Sequence, residues 1–387
     1  MLDNYIKKIE TLYQQAKEVR QTHKKALWQQ LLDIIVLYRV NPCCNVWDYY
    51  KYRLYAAPRG SERYRNTLGT GQIEPFNRSL NVRTGVTVSW DKLLFAQVCD
   101  VFKLPTVGLA GVFKPAGPLA DFIPVKMNQI EQVKEMMATR TAPLFVKPVL
   151  CQQGIGGYYV EGYDKDADRV TTRDGKAFTF DEFIKLTINN PDTRLYRRRM
   201  GYLFQEVVRQ HPAISEFTGT DVPSGFRVVV LNDEFNPVIQ SAVWKIVKPG
   251  NVNDNFSKGK IGNMVARVNP EDGSVSKAVN GYWPFARYFD THPETGRRFE
   301  EFCIPLWDKM LSEIKRASSV ISTMNILHWD VIMGEEGPVL LELNDIGGTE
   351  FLQMHETALM DSEVRDFMRR YAKLRKGEAL ERMLKSD

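Results

Sequence analysis

His328-Trp329-Asp330-Val331-Ile332-Met333-Gly334-Glu335-Glu336-Gly337-Pro338-Val339-Leu340-Leu341-Glu342-Leu343-Asn344 reads as two strands joined by a glycine- and glutamate-rich turn. Side chains on a strand alternate faces, so Glu342 and Asn344 project together. If Met333 pairs with Val339, Asp330 stands opposite Glu342 on that face. Two carboxylates and an amide oxygen then converge among valine, isoleucine and leucine neighbours. Unneutralised, such carboxylates repel and are costly to bury. A hard cation with oxygen ligands removes that cost, and Mg²⁺ shared with nucleotide phosphates suits a partial cage of this kind. On these residues alone, the polar face of an ordinary hairpin is the alternative.

Upstream lie four further groups of residues. The apolar strand Leu144-Phe145-Val146-Lys147-Pro148 leads into Gln152-Gln153-Gly154-Ile155-Gly156-Gly157 and then another strand, Tyr158-Tyr159-Val160. Glycines let backbone approach a phosphate closely and Lys147 supplies charge, although no helix follows, as a Walker A loop or a Rossmann turn would require. The strand Tyr202-Leu203-Phe204-Gln205-Glu206-Val207-Val208 suits holding adenine by its main chain, with Glu206 or a later polar residue near the sugar. Arg227 and Lys245 sit inside the apolar strands 226–231 and 237–247, where a cation needs an anionic partner: a phosphate, a substrate carboxylate or a structural acid. The loop Asn253-Asp254-Asn255-Phe256-Ser257-Lys258-Gly259-Lys260 has the amides and lysines of a substrate or phosphate lid.

The rest of the chain reads as a mixed α/β protein with a helical front. Apolar residues at three- and four-residue steps predict helices over 2–20 and 24–39, and further helices over 91–102, 129–138, 179–187, 297–323 and 360–385. Strands are expected at 203–208, 226–231, 237–247, 327–333 and 338–343. The 387 residues are too many for one compact core. Five cysteines, none in a CxxC pair, fit reduced thiols, and the absence of a signal-like start or a long apolar run points to the cytoplasm. Residues 1–90 hold 14 Lys/Arg and 7 Asp/Glu, a net +7 against −2 for the remainder. That basic segment suits an anionic membrane surface or a phosphorylated substrate, and equally a plain solvated face, and no nucleic-acid module accompanies it. The tyrosine-rich stretch after Trp47 is read as the core of a small helical domain or a substrate-facing surface.

Taken in order, these pieces resemble the ATP-grasp superfamily, in particular its sugar-transfer-associated branch. The resemblance runs from about Ser89 to Glu356. It is carried by Trp90-Asp91-Lys92, Phe145-Val146-Lys147-Pro148, Gln205-Glu206 with His211-Pro212, the Arg227 strand, Asp254-Asn255-Phe256, Trp329-Asp330 and Glu342-Leu343-Asn344. It implies an ATP-grasp fold, two α+β subdomains clasping ATP behind a helical N-terminal domain, divided 1–88, 89–204 and 205–387.

The resemblance further implies that Lys92, Lys147, Gln153, Gly154 and Gly156 contact ATP phosphates. Gln205, Glu206, Val208 and His211 line the nucleotide, and Asp330, Glu342 and Asn344 hold Mg²⁺, with Mn²⁺ also admitted. Arg227 and Lys245 would serve catalysis, and Asp254, Asn255, Lys258 and Lys260 the substrate. The implied reaction is carboxylate–amine or carboxylate–thiol ligation through an acyl phosphate, releasing ADP. A kinase on the same fold and a non-catalytic nucleotide-binding protein are the alternatives. Small-molecule carboxylate and amine substrates are the expected partners, and a homodimer is left open. The sequence departs from the family pattern at Gly259-Lys260, where a glycine pair is expected, and at Lys245, where arginine is expected. Residues 1–88 have no recognisable counterpart.

Overall fold

The computed structural model describes residues 2–151, 155–234, 236–283 and 285–385, with side chains from Ile6 onward. The chain opens with α1 (Leu2–His23), which turns back into α2 (Leu27–Val40); α3 (Val46–Lys51), α4 (Glu62–Asn66) and α5 (Ile73–Leu80) follow. The tyrosine-rich stretch makes a small core: Tyr49, Tyr52, Tyr55 and Tyr64 are buried against Val19 and Leu37. Asp33 is fully buried beneath α2, held by Arg59 at 2.6 Å, by Tyr49 at 2.9 Å and by Lys25. α5 belongs elsewhere, for Phe76 and Leu80 pack with Phe367, Met368 and Leu380 near the C-terminus.

Next come α6 (Thr87–Trp90) and α7 (Lys92–Val101), the latter capped by Asp91, whose carboxylate accepts from the Leu93 and Leu94 amides. A first sheet is built from β1 (Leu109–Phe113), β2 (Lys126–Met127), β3 (Leu144–Pro148), β4 (Tyr158–Asp164), β5 (Arg169–Thr172), β6 (Ala177–Phe178) and β7 (Tyr202–Glu206). Its helices are α8 (Ile130–Ala138), α9 (Phe180–Leu186) and α10 (Leu195–Met200). The spatial order is β2-β1-β7-β3-β4-β5-β6, so β7 returns between β1 and β3. The division expected at 204/205 falls inside β7, which stays wholly in this sheet.

The second sheet comprises β8 (Phe226–Asp233), β9 (Asn236–Ile246), β10 (Met264–Val268), β11 (Val275–Asn280), β12 (Arg287–Phe289), β13 (Ile326–Met333) and β14 (Pro338–Asn344). Its order is β12-β11-β10-β9-β8-β13-β14, antiparallel throughout. α11 (Pro212–Thr218) and α12 (Trp307–Val320) precede α13 (Glu350–Gln353), α14 (Ser362–Tyr371) and α15 (Ala379–Leu384). Strand alternation assigns the faces. Phe226, Val228, Trp244 and Trp329 pack on α12, while Val229, Val243 and Ile326 pack beneath α5 and α14. The two sheets are joined at the free edge of β14, where Leu340 N donates to Pro105 O and Thr106 Oγ1 donates to Leu340 O, both at 2.8 Å.

Several sequence expectations are corrected. The helix expected from 297 begins at Trp307, because Pro305 lacks an amide donor and disfavours helix in the residue before it. The helix expected over 360–385 splits at Ala372–Glu378, where Lys373 N bonds Ser79 O and Gly377 takes a φ of +86°. Strand 203–208 ends at Glu206, and β10 to β12 were not expected. In the hairpin Met333 pairs with Pro338, not Val339. A bulge between Val331 and Asp330 absorbs Leu341 and shifts the register by one, so Asp330 still faces Glu342.

The loop between β9 and β10 is tied down by Asn263, which is fully buried. Its Nδ2 donates to Asn253 O (2.9 Å) and Asn255 O (2.8 Å), and its Oδ1 accepts from Lys248 N (2.9 Å) and Asn251 Nδ2 (2.6 Å). Asn263→Ala should therefore cost about 1–3 kcal/mol in urea unfolding, since it strands buried backbone groups. Limited proteolysis should show new cleavage within 251–260; unchanged cleavage there would mean that the loop is held otherwise.

Candidate nucleotide and metal site

Arg227, Lys245 and Asp330 come from the neighbouring strands β8, β9 and β13, on the sheet face shared with Val229 and Val243. Arg227 pairs directly with Asp330 in the β8–β13 register. Its Nε donates to Oδ1 and its Nη2 to Oδ2, each at 2.7 Å, a two-pronged clamp. Lys245 Nζ lies 2.8 Å from Asp254 Oδ2 and 3.3 Å from Asp330 Oδ1. Asp330 is only 5% exposed. Burial alone would raise its pKa; the Arg227 and Lys245 cations reverse that and hold it well below the ordinary carboxylate range. Burial likewise opposes the charge on Lys245, and Asp254 with Asp330 overcomes it, so its pKa is raised.

β14 supplies the other half of the site. Asn344 Nδ2 lies 3.2 Å from Asp330 Oδ2 and 3.3 Å from Glu342 Oε1, bridging the two acids. Lys92, at the start of α7, reaches across to Glu342 Oε2 at 3.6 Å and donates to Cys151 O at 2.8 Å. Lys147 on β3 has no carboxylate within ion-pair distance among the described residues. Burial lowers its pKa, Glu342 being the strongest of the charges that oppose the shift. Cations of the first sheet's half thus face carboxylates of the second.

What each oxygen already holds decides which of them can take a divalent ion. Asp330 accepts from Arg227 twice, from Lys245 and from Asn344, which fills the capacity of a carboxylate. Glu342 has only the long contacts to Lys92 and Asn344, and its side chain is 32% exposed. Glu342 is therefore the ligand open to Mg²⁺ or Mn²⁺, whereas Asp330 would have to give up one of its present donors before it could bind the ion. Among the described residues no group of three or more His, Cys, Asp or Glu could hold a metal, so an all-protein cage is not built here.

The remaining expected site residues have various surroundings. Gln153 and Gly154 lie outside the described residues. Gly156 takes a φ of +78° beside Pro148. Gln205 is buried, while the Glu206 carboxylate is taken by Arg140 Nη2, at 2.7 and 2.8 Å. Val208 helps line a cavity of about 570 Å³ with Pro105, Arg209, Lys309 and the hairpin turn. The His211 Nδ1 caps α11, accepting from Ala213 N at 3.2 Å. In the lid loop, Asp254 joins Lys245, whereas Asn255 Oδ1 closes a local turn onto Ser257 N and Lys258 and Lys260 are exposed. Gly259 is required by its neighbour, because a Cβ there would stand 2.3 Å from Gly281 N.

The sequence reading missed His328. Two residues before Asp330, it shares that face of β13, and its Nε2 lies 2.6 Å from Asn77 Oδ1 of α5. Burial, then the charge of Arg227, pushes its pKa down to about 3, so the ring is neutral. Gly347 packs so closely that a Cβ would meet His328 Nδ1 at 2.2 Å. The ring therefore seats the loop that follows Asn344, and the spacing His328–Asp330 was the available signal.

Asp330→Asn should strand Arg227 and Lys245 in a buried setting and cost about 3–5 kcal/mol at pH 7 by urea unfolding. The sign with pH follows from the depressed pKa. On acidification the unfolded chain takes this proton first, near its ordinary value of 3.8. Asp330 therefore stabilises the fold above that pH, and the contribution is lost as pH falls through the lower folded value. Wild type should lose stability between pH 5 and 3 more steeply than the variant; parallel curves would show that Asp330 is not held in this way.

Comparison with known proteins gives a family match. The family described as sugar-transfer associated ATP-grasp matches residues 72–367. Solved structures with similarity include D-alanyl-alanine synthetase A from Vibrio cholerae, 13% identical over 78% of this chain and 66% of that one, TM-score 0.39. VanG D-Ala:D-Ser ligase from Enterococcus faecalis is 12% identical over 74% and 63%, TM-score 0.43. A biotin carboxylase from Campylobacter jejuni is 10% identical over 76% and 49%, TM-score 0.43. The chain thus spans between about half and two-thirds of the length of these structures. No curated protein matches. The family match covers most of the chain, and the chain belongs to the sugar-transfer associated ATP-grasp family.

Proposed function

We propose that the chain is an ATP- and magnesium-dependent ligase that joins a carboxylate to an amine, or to a thiol, through an acyl phosphate, releasing ADP. The supporting observation is the set of four cations, Lys92, Lys147, Arg227 and Lys245, placed around Asp330 and Glu342 where the halves of the fold meet. Lys92 and Lys147 bind the polyphosphate from the first sheet's side. Arg227 keeps Nη1 unused by its clamp on Asp330 and directs it at the transferring phosphoryl group. Lys245, fixed by Asp254 and Asp330, holds the carboxylate substrate as a point charge. Glu342 with Asn344 would hold Mg²⁺, Asp330 joining them on giving up one of its present donors, and the ion supplies neutralisation of the phosphate oxygens. Closure of the lid loop over these groups excludes water from the acyl phosphate.

Glu342→Gln and Asn344→Ala should raise the Mg²⁺ needed for half-maximal nucleotide turnover by roughly 10- to 100-fold. The assay is ADP release across a panel of amino acids and amino sugars. ADP appearing only when a carboxylate and an amine are both present supports ligation. A stable phosphorylated product without an amine overturns it in favour of a kinase. Turnover unchanged in Glu342→Gln removes the metal assignment.

A further inference from the structure

The outer side of the α1–α2 hairpin is apolar and uncovered. Along α1, Ile6 (47% exposed), Ile9 (66%) and Tyr13 (59%) recur at helical steps. α2 carries a matching stripe of Trp28, Leu31, Leu32, Ile35 and Tyr38, of which Trp28 is 63% and Leu31 59% exposed. The buried positions, Gln15 and Val19 on α1 and Gln30, Asp33 and Leu37 on α2, lie towards the other side, over the tyrosine core. α2 therefore buries Leu37 with the polar Gln30 and Asp33 and leaves its most apolar stripe uncovered. Single exposed apolar residues need no explanation, whereas a contiguous patch of this size on two adjacent helices marks an interaction surface.

Charge distinguishes the occupants. Lys17 and Arg20 continue the α1 stripe four and seven residues beyond Tyr13, Lys24 stands at the hairpin tip, and Arg39 ends the α2 stripe. All four are exposed and none sits in an ion pair among the described residues. Glu10 is the one exposed acid on α1 and α2 among the described side chains. A second copy docked face to face would set these cations against their own kind. An anionic lipid surface complements them, and Tyr13, Trp28 and Tyr38 have the amphipathic rings that settle at headgroup depth.

We propose that the α1–α2 hairpin docks this chain flat on an anionic lipid bilayer, its apolar stripes entering the headgroup boundary and Lys17, Arg20, Lys24 and Arg39 contacting the headgroups. The mode is interfacial, since no helix among the described residues is long and apolar enough to cross a membrane. Apolar insertion and basic attraction act together, so each alone gives weak, reversible binding.

The test is co-sedimentation of the full chain with phosphatidylcholine vesicles with and without one-quarter phosphatidylglycerol. Binding to the anionic vesicles is expected, weakened by salt and nearly absent on pure phosphatidylcholine. Leu31→Glu with Ile35→Glu should abolish it, and Arg20→Glu should lower it roughly five-fold or more. Both variants change exposed positions, so an unaltered thermal melt separates lost docking from lost folding. Failure of wild type to bind, or binding unchanged in the double variant, overturns the proposal. A stable dimer in light scattering that the double variant dissociates also overturns it and assigns the face to a second copy.

Discussion

The buried carboxylate of Asp330 constrains the second half of the fold. It lies on an interior strand, almost without solvent, and stays ionised only because Arg227 on the adjoining β8 and Lys245 on β9, one strand further, stand on the same sheet face. Those two cations carry the same burial cost in reverse. Each of the three is tolerable because of the others, so the register of β9, β8 and β13 is fixed by electrostatics as well as by packing. A slip of one residue would turn the charges into the apolar layer beneath α12.

The same arrangement explains how much the sequence could show. The hairpin, Arg227 and Lys245 were legible because charged residues inside apolar strands have few affordable explanations. Alternation placed Glu342 and Asn344 on one face without further help. The Asp330–Glu342 pair follows from alternation although Met333 faces Pro338 rather than Val339, because nothing in the local pattern announces a bulge at Leu341. The break in the last helix was less visible, since it depends on a long-range bond from Lys373 to Ser79. β10 and β11 had a readable turn, Asn269-Pro270-Glu271-Asp272-Gly273, between short β-branched runs, and were overlooked because the polar loop before them drew the reading. His328 was overlooked for the opposite reason: a histidine in an apolar strand looks like core until its partner, Asn77, is seen some 250 residues away in sequence.

The helical front also divides differently from what its composition suggests. Residues up to about Tyr64 form their own tyrosine core, whereas α5 belongs to the C-terminal layer and touches the site through Asn77 and His328. The match to the family begins at residue 72, close to where α5 starts. The part ahead of that match is then the hairpin and the tyrosine core, which is also where most of the excess positive charge and the uncovered apolar face are found.

The two departures from the family pattern have physical readings in the fold. Gly259 cannot carry a side chain because Gly281 passes within contact of where its Cβ would be, so the lid keeps one essential glycine and the following Lys260 is free to face solvent. At Lys245 an arginine would bring a rigid fork that competes with Arg227 for the Asp330 oxygens, which are already full. A lysine instead bridges Asp254 and Asp330 with a single ammonium and ties the lid loop to the sheet.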